Sequence, residues 1–157
     1  MTTKSPAQTE SVQSIMSASV QTIDYRSTVA DAVQLMAEDQ FNAIPVVDGD
    51  GKCVGMLSRS DLTETFLAED QELANVLDAG AFGRLSNRFI ETCDEKSVVE
   101  VMTHDVMSVS PTTAIKAACE IMTNHQIHHL PVISDRGFVE GIVSSFDVIR
   151  WLANDSA

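Results

Sequence analysis

The chain is poor in cations. Lys and Arg number 10 against 23 Asp and Glu, giving a formal net charge of −13 over 157 residues. No basic cluster occurs, which excludes nucleic-acid binding through phosphate neutralisation and docking on an anionic membrane surface. The acidity by itself implies no more than solubility. Long apolar runs are also missing: none reaches the ~18 residues a membrane-spanning helix needs. The polar start, MTTKSPAQTE, does not read as a secretory signal. Cysteine is scarce. Cys53, Cys93 and Cys119 are an odd number without CxxC spacing, which excludes a disulfide framework. They read as small core residues of a protein in a reducing, cytoplasmic compartment.

What the chain does have is an internal repeat. A shift of 86 positions lays residues 12–62 on residues 98–148 without a gap. Twelve of the 51 pairs are identical: Val12/Val98, Met16/Met102, Val20/Val106, Ala32/Ala118, Met36/Met122, Gln40/Gln126, Pro45/Pro131, Val46/Val132, Gly51/Gly137, Gly55/Gly141, Ser58/Ser144 and Asp61/Asp147. Chance would give about three. Each copy is too small to be secure alone, so the two halves are expected to bury their apolar faces together.

Each copy reads strand–helix–strand–strand–helix, an α/β pattern. Val12–Met16 opens the first as a short helical or turn segment, and Val20–Ile23 alternates as a strand does. Thr28 offers a helix cap with Asp31 three residues on. Val29, Ala32, Val33 and Met36 then form one apolar stripe, kept as Ile115, Ala118, Cys119 and Met122. Ile44–Val47, the turn Asp48–Gly51 and Cys53–Leu57 read as a hairpin, followed by a helix from about Ser60. Leu130–Ile133, Asp135–Gly137, Val139–Val143 and a helix to about Ala153 repeat it. Between the copies, Thr63–Gly80 reads as a helix through Phe66, Leu67, Leu73, Val76 and Leu77, ended by Gly80 and Gly83. Arg84–Cys93, with Arg84 and Arg88, has no firm assignment. The expected organisation is a flexible tail over 1–11, repeat 1 over 12–70, a helical linker over 71–97, repeat 2 over 98–153 and a short tail over 154–157.

The polar matches concentrate in one run: Gly55-Met56-Leu57-Ser58-Arg59-Ser60-Asp61 and Gly141-Ile142-Val143-Ser144-Ser145-Phe146-Asp147. It falls at a strand-to-helix junction. Glycine admits close approach to the backbone. Serine and the free N–H groups of the helix start can bond a hydroxyl or phosphate. Aspartate in the first turn is favoured by the dipole, and its carboxylate can accept two donors at once, as from vicinal ribose hydroxyls. Helix capping needs the same Ser and Asp with no ligand, and both readings stand on the residues alone.

Residues 12–152 resemble a tandem pair of cystathionine-β-synthase (CBS) domains, a Bateman module. The paired Gly-x-x-Ser-x-x-Asp runs carry the resemblance. So do Phe41-Asn42-Ala43-Ile44-Pro45-Val46-Val47, His128-His129-Leu130-Pro131-Val132-Ile133, and the openings Met16-Ser17 and Met102-Thr103. It implies two pseudo-twofold-related β-α-β-β-α repeats packed through their sheets. It also implies composite clefts for an adenosine-containing ligand: AMP, ADP, ATP, S-adenosylmethionine or NAD. The first cleft would use Ser27, Ala32, Phe41 and Asn42 with Ile142, Ser144, Phe146 and Asp147. There Asp147 would take the ribose hydroxyls and the two phenylalanines would flank adenine; core filling is the other use of Phe41. The second would use Thr113, Ala118, Ile127 and His128 with Met56, Ser58, Arg59, Ser60 and Asp61. It lacks an aromatic and ranks behind the first.

Phosphates need cations. The family often places a basic contact where Arg59 stands, but its counterpart is Ser145. Lys52, Arg136 and Arg150 are surface charges that could help. A singly phosphorylated ligand, or cationic S-adenosylmethionine, meets least resistance in so acidic a chain. His104, His125, His128 and His129 invite a metal reading, but adjacent residues of an extended segment point apart, and no metal site is expected. No nucleophile–base spacing points to an enzyme. The expected function is a regulatory sensor module, working as a homodimer on an effector protein. The alternative is a ligand-free structural or interaction module of the same fold.

Overall fold

Thr28 begins the first long helix as the sequence predicts. Its Oγ accepts the Asp31 N–H at 3.1 Å, and the Asp31 carboxylate accepts the Thr28 N–H at 3.0 Å. This reciprocal box satisfies two of the donors a helix start leaves over. The computed structural model that shows it describes residues 10–67, 91 and 93–155. Residues 1–9 of the expected tail, most of the expected 71–97 linker, Leu73, Val76, Leu77, Arg84 and Arg88 lie outside the described residues, whereas Glu10 and Ser11 of that tail are bonded to Ile115 and Ala114.

The chain divides into two compact units, Gln21–Val106, and the residues up to Val20 together with those from Met107 onward. The first unit contains β1 (Ile23–Asp24), α1 (Val29–Asp39), β2 (Ala43–Val47), β3 (Cys53–Ser58), α2 (Arg59–Leu67) and α3 (Val98–Val101). The sheet order is β1-β2-β3, with β1 parallel and β3 antiparallel to β2. β1 is shorter than the alternation of Val20–Ile23 suggests. The Asp24 carboxylate accepts the Arg26 N–H at 2.8 Å, and the chain turns there. Gly51, at φ 82°, closes the hairpin. Val29, Ala32, Val33 and Met36 all enter the core, with Ile44, Val46, Leu57, Leu62 and Phe66. α1 ends on Gln40 in the left-handed region, and the N–H of Gln40 bonds the Met36 carbonyl.

The second unit repeats the plan with α4 (Ile115–His125), β4 (His129–Ile133), β5 (Val139–Ser144) and α5 (Ser145–Asp155). β4 and β5 are antiparallel. The expected first strand of this copy is reduced to one bridge, Val109 to Val132. Gln126 ends α4 in the same left-handed conformation as Gln40, so that identity marks a helix cap. Among the described residues, no helix is long and apolar enough to cross a membrane.

The outer edge of each hairpin shows how each unit is completed. Pro45 stands opposite Met56. The Met56 N–H and C=O point away from it and exchange both bonds with Thr103, at 3.0 and 2.8 Å. Likewise Pro131 stands opposite Ile142, which exchanges both with Ser17 at 3.0 and 2.9 Å. The opening segment of each sequence copy therefore edges the hairpin of the other copy. Gly55 and Gly141 make room for it. A Cβ on Gly55 would lie 2.9 Å from the Thr103 carbonyl oxygen, and one on Gly141 2.9 Å from that of Ser17. Val12 adds an N–H bond to the Thr113 carbonyl at 2.8 Å and is buried with Val109, Leu130, Val132 and Val143.

Candidate functional site

β5 ends at Ser144 and α5 begins at once, so Asp147 lies in the first helical turn. Asp147 Oδ2 accepts the Ser144 N–H at 2.8 Å and the Ser144 Oγ–H at 2.7 Å. The Asp147 N–H donates back to Ser144 Oγ at 3.2 Å. Two hydrogen bonds thus fix the carboxylate, whose side chain is 12% exposed, and the third closes the reciprocal cap. The capping use of Ser and Asp is real, but it engages one carboxylate oxygen. Among the described residues, Oδ1 meets only the Arg150 guanidinium, at 3.9 Å. That is beyond hydrogen-bond length, and it leaves the lone pairs of Oδ1 for other donors.

Asp147 opens on a depression of about 390 Å³ lined by Ser14, Ile15, Asp147, Arg150, Trp151 and Asn154. Residues 147, 150, 151 and 154 share one face of α5 by their i, i+3, i+4, i+7 spacing. That spacing is legible in the sequence, but Trp151 and Asn154 lie outside the repeated run that points to the site. Trp151 is held by its indole N–H, which donates to Glu10 at 2.9 Å. The Arg150 guanidinium stands 5.0 Å over the ring of Phe146, itself 61% exposed. An aromatic face, a cation and a fixed carboxylate therefore stand side by side at the start of α5.

The first unit makes the same arrangement at Ser58 and Asp61. Asp61 Oδ2 accepts the Ser58 N–H and Oγ–H, both at 2.7 Å. Around it the other residues differ. Arg59 donates to Asn42 Oδ1 at 2.9 Å, and the Thr103 hydroxyl donates to Asp61 Oδ1 at 3.0 Å. Of the residues expected in the first cleft, Ile142, Ser144, Phe146 and Asp147 belong to the second unit. Ser27, Ala32, Phe41 and Asn42 belong to the first. Of the second, Met56, Ser58, Arg59, Ser60 and Asp61 are in the first unit, and Thr113, Ala118, Ile127 and His128 in the second. Ala32 and Ala118 are fully buried in the cores, and Phe41 packs against one of them. Thr113 Oγ accepts the Ser110 N–H at 3.0 Å, and the His128 carbonyl accepts the Ser145 N–H at 2.9 Å.

His129 pairs across the sheet with Ser144. Burial lowers its pKa from the ordinary 6.5, His128 lowers it further, and Asp147 opposes both. A depressed imidazole binds its proton more weakly folded than unfolded, so it contributes stability above pH 6.5 that is lost as pH falls through the folded value. The expected result is a melting temperature that declines below pH 6.5, with a shallower decline in His129→Gln. Equal slopes in the two proteins would contradict it. Burial also pushes the Cys93 thiol up to about 12, and raises Cys53 and Cys119. Among the described residues, no group of three or more His, Cys, Asp or Glu converges as metal ligands would.

The sequence profile of the CBS domain matches residues 12–68 and 98–154. The chain belongs to the CBS domain family. A CBS domain-containing protein of Bacillus subtilis, YhcV, is 28% identical over 148 residues, covering 94% of this chain and 89% of its own length. The fold is similar to a CBS domain pair solved in complex with 5′-methylthioadenosine and S-adenosyl-L-methionine, with TM-score 0.72 and 23% identity over 93% of this chain and 98% of that one. It is equally similar to a structure solved in complex with AMP, TM-score 0.72 and 23% identity over 94% and 98%. The tandem CBS pair read from the repeated motifs is thus borne out.

Proposed function

We propose that this CBS pair is a regulatory module that binds an adenosine-containing ligand, with Asp147 taking the ribose hydroxyls. One observation carries the reading: Asp147 Oδ2 is locked by Ser144, Oδ1 lies 3.9 Å from Arg150, and both residues line a depression with Trp151. A carboxylate fixed in this way needs no reorganisation to receive two vicinal hydroxyls. Arg150, which covers one face of the exposed Phe146 ring, offers a single cation for a 5′ substituent, and adenine would take the other face. One cation in a chain of net charge −13 suits AMP or S-adenosylmethionine better than ADP, ATP or NAD. The similar pairs solved with AMP and with S-adenosylmethionine support the same class.

The module regulates rather than catalyses. The Ser58 and Ser144 hydroxyls give their protons to capping carboxylates, a structural task. Ligand binding biases one conformation over another, and an effector protein reads it. The module acts in the cytoplasm, in keeping with its free thiols. It works as a homodimer, for which the exposed Ile149 and Leu152 of α5 provide apolar surface. The capping boxes favour one rival, a ligand-free interaction module of the same fold.

Thermal melting with AMP, ADP, ATP, NAD and S-adenosylmethionine separates the two. At a hundredfold excess over Kd the best ligand stabilises by about 2.7 kcal/mol, a rise of roughly 5–10 °C for a chain of this size. An unchanged midpoint with all five would leave the interaction module standing.

A further inference from the structure

The duplication provides an internal comparison for the two carboxylates. Ser58 and Ser144 hold Oδ2 of Asp61 and Asp147 in the same way. The difference is at Oδ1. Asp61 Oδ1 accepts the Thr103 hydroxyl at 3.0 Å. The residue equivalent to Thr103 is Ser17, placed by the same pair of backbone bonds to β5 as Thr103 makes to β3. Yet no hydrogen bond joins the Ser17 side chain to Asp147. Among the described residues, Asp147 Oδ1 has only Arg150, at 3.9 Å. The charge three residues along is also reversed: Arg150 follows Asp147, whereas Glu64 follows Asp61.

We infer that the chain takes one adenosine ligand, at Asp147, and that Thr103 is the residue that withholds Asp61 from a second. The inference rests on the ligand reading above. A ribose hydroxyl arriving at Asp61 Oδ1 must displace or share with a hydroxyl already donating there. Glu64 adds like charge against a phosphate, and Arg59, the nearby cation, is engaged with Asn42. At Asp147, among the described residues, no hydrogen bond to Oδ1 has to be displaced.

Calorimetric titration of the whole chain with AMP tests this by stoichiometry. The wild type is expected to bind one AMP per chain, with the site lost in Asp147→Ala and kept in Asp61→Ala. Thr103→Val removes the competing hydroxyl and is expected to raise the count to two, whereas Thr103→Ser keeps it at one. Thr103 is exposed and its backbone bonds survive either change. Two equivalents in the wild type would overturn the inference while leaving the ligand reading intact, and loss of the single site in Asp61→Ala would overturn the inference and move the ribose from Asp147 to Asp61. One equivalent in Thr103→Val would also overturn the inference. A wild type that binds no AMP, and melts unchanged with the other four compounds, would overturn both.

Discussion

Replacing Asp147 by Ala is expected to weaken AMP binding by about 100-fold or more. Two ribose hydroxyls donating to an ionised carboxylate contribute about 1.5–3 kcal/mol each, and each ~1.4 kcal/mol is a factor of ten. The same change removes the carboxylate half of a capping box, which costs about 1 kcal/mol of stability. The two effects are separable. Ser144→Ala removes the hydroxyl half of the box and so costs a similar amount of stability. It leaves the carboxylate in place, and its affinity is expected to fall by less than about tenfold. Urea denaturation measures the first effect and calorimetry the second. Equal affinity losses in the two variants would mean that Asp147 serves the helix and not a ligand.

Phe66→Ala is expected to cost about 3–5 kcal/mol of stability, the range for emptying a buried aromatic site. Phe66 is fully buried, the largest such side chain among the described residues, and it clusters with Met36, Ile44, Leu57, Leu62, Cys93 and Val98. The sequence places it only on the apolar side of a helix, and the structure buries it in the core. A loss of that size lowers the melting temperature by roughly 10 °C. Phe138→Ala is the control: that ring is 41% exposed, and its truncation is expected to stay within about 0.5 kcal/mol. Comparable losses at the two positions would contradict the assigned core.

The local features of this fold were legible in the sequence because local physics sets them. Thr28 and Asp31 cap α1, Gly51 and Gly137 take positive φ at the hairpin turns, and the stripe from Val29 to Met36 is buried. Contacts between distant residues were not legible. The Met16-Ser17 and Met102-Thr103 openings looked like the first turns of their own copies. They pair instead with hairpins 125 and 47 positions away, counting Ser17 to Ile142 and Met56 to Thr103. Spacing could say that Gly55 and Gly141 admit a close neighbour, not which one. The Thr103 to Asp61 bond spans 42 positions and the Trp151 to Glu10 bond 141, with no periodicity to announce either. Identity within the repeat also hid a difference. Ser58-Asp61 and Ser144-Asp147 match residue for residue, but Thr103 against Ser17 and Glu64 against Arg150 surround them differently.

Ribose recognition by Asp147 is tested most directly by amide-shift titration of the ¹⁵N-labelled chain with adenosine and with 2′,3′-dideoxyadenosine. Adenosine is common to every ligand considered. It is expected to move the Ser144 and Asp147 amides, and the analogue without ribose hydroxyls to leave them in place at the same concentrations. Equal shifts with both compounds, or none with either, would show that Asp147 does not hold a ribose.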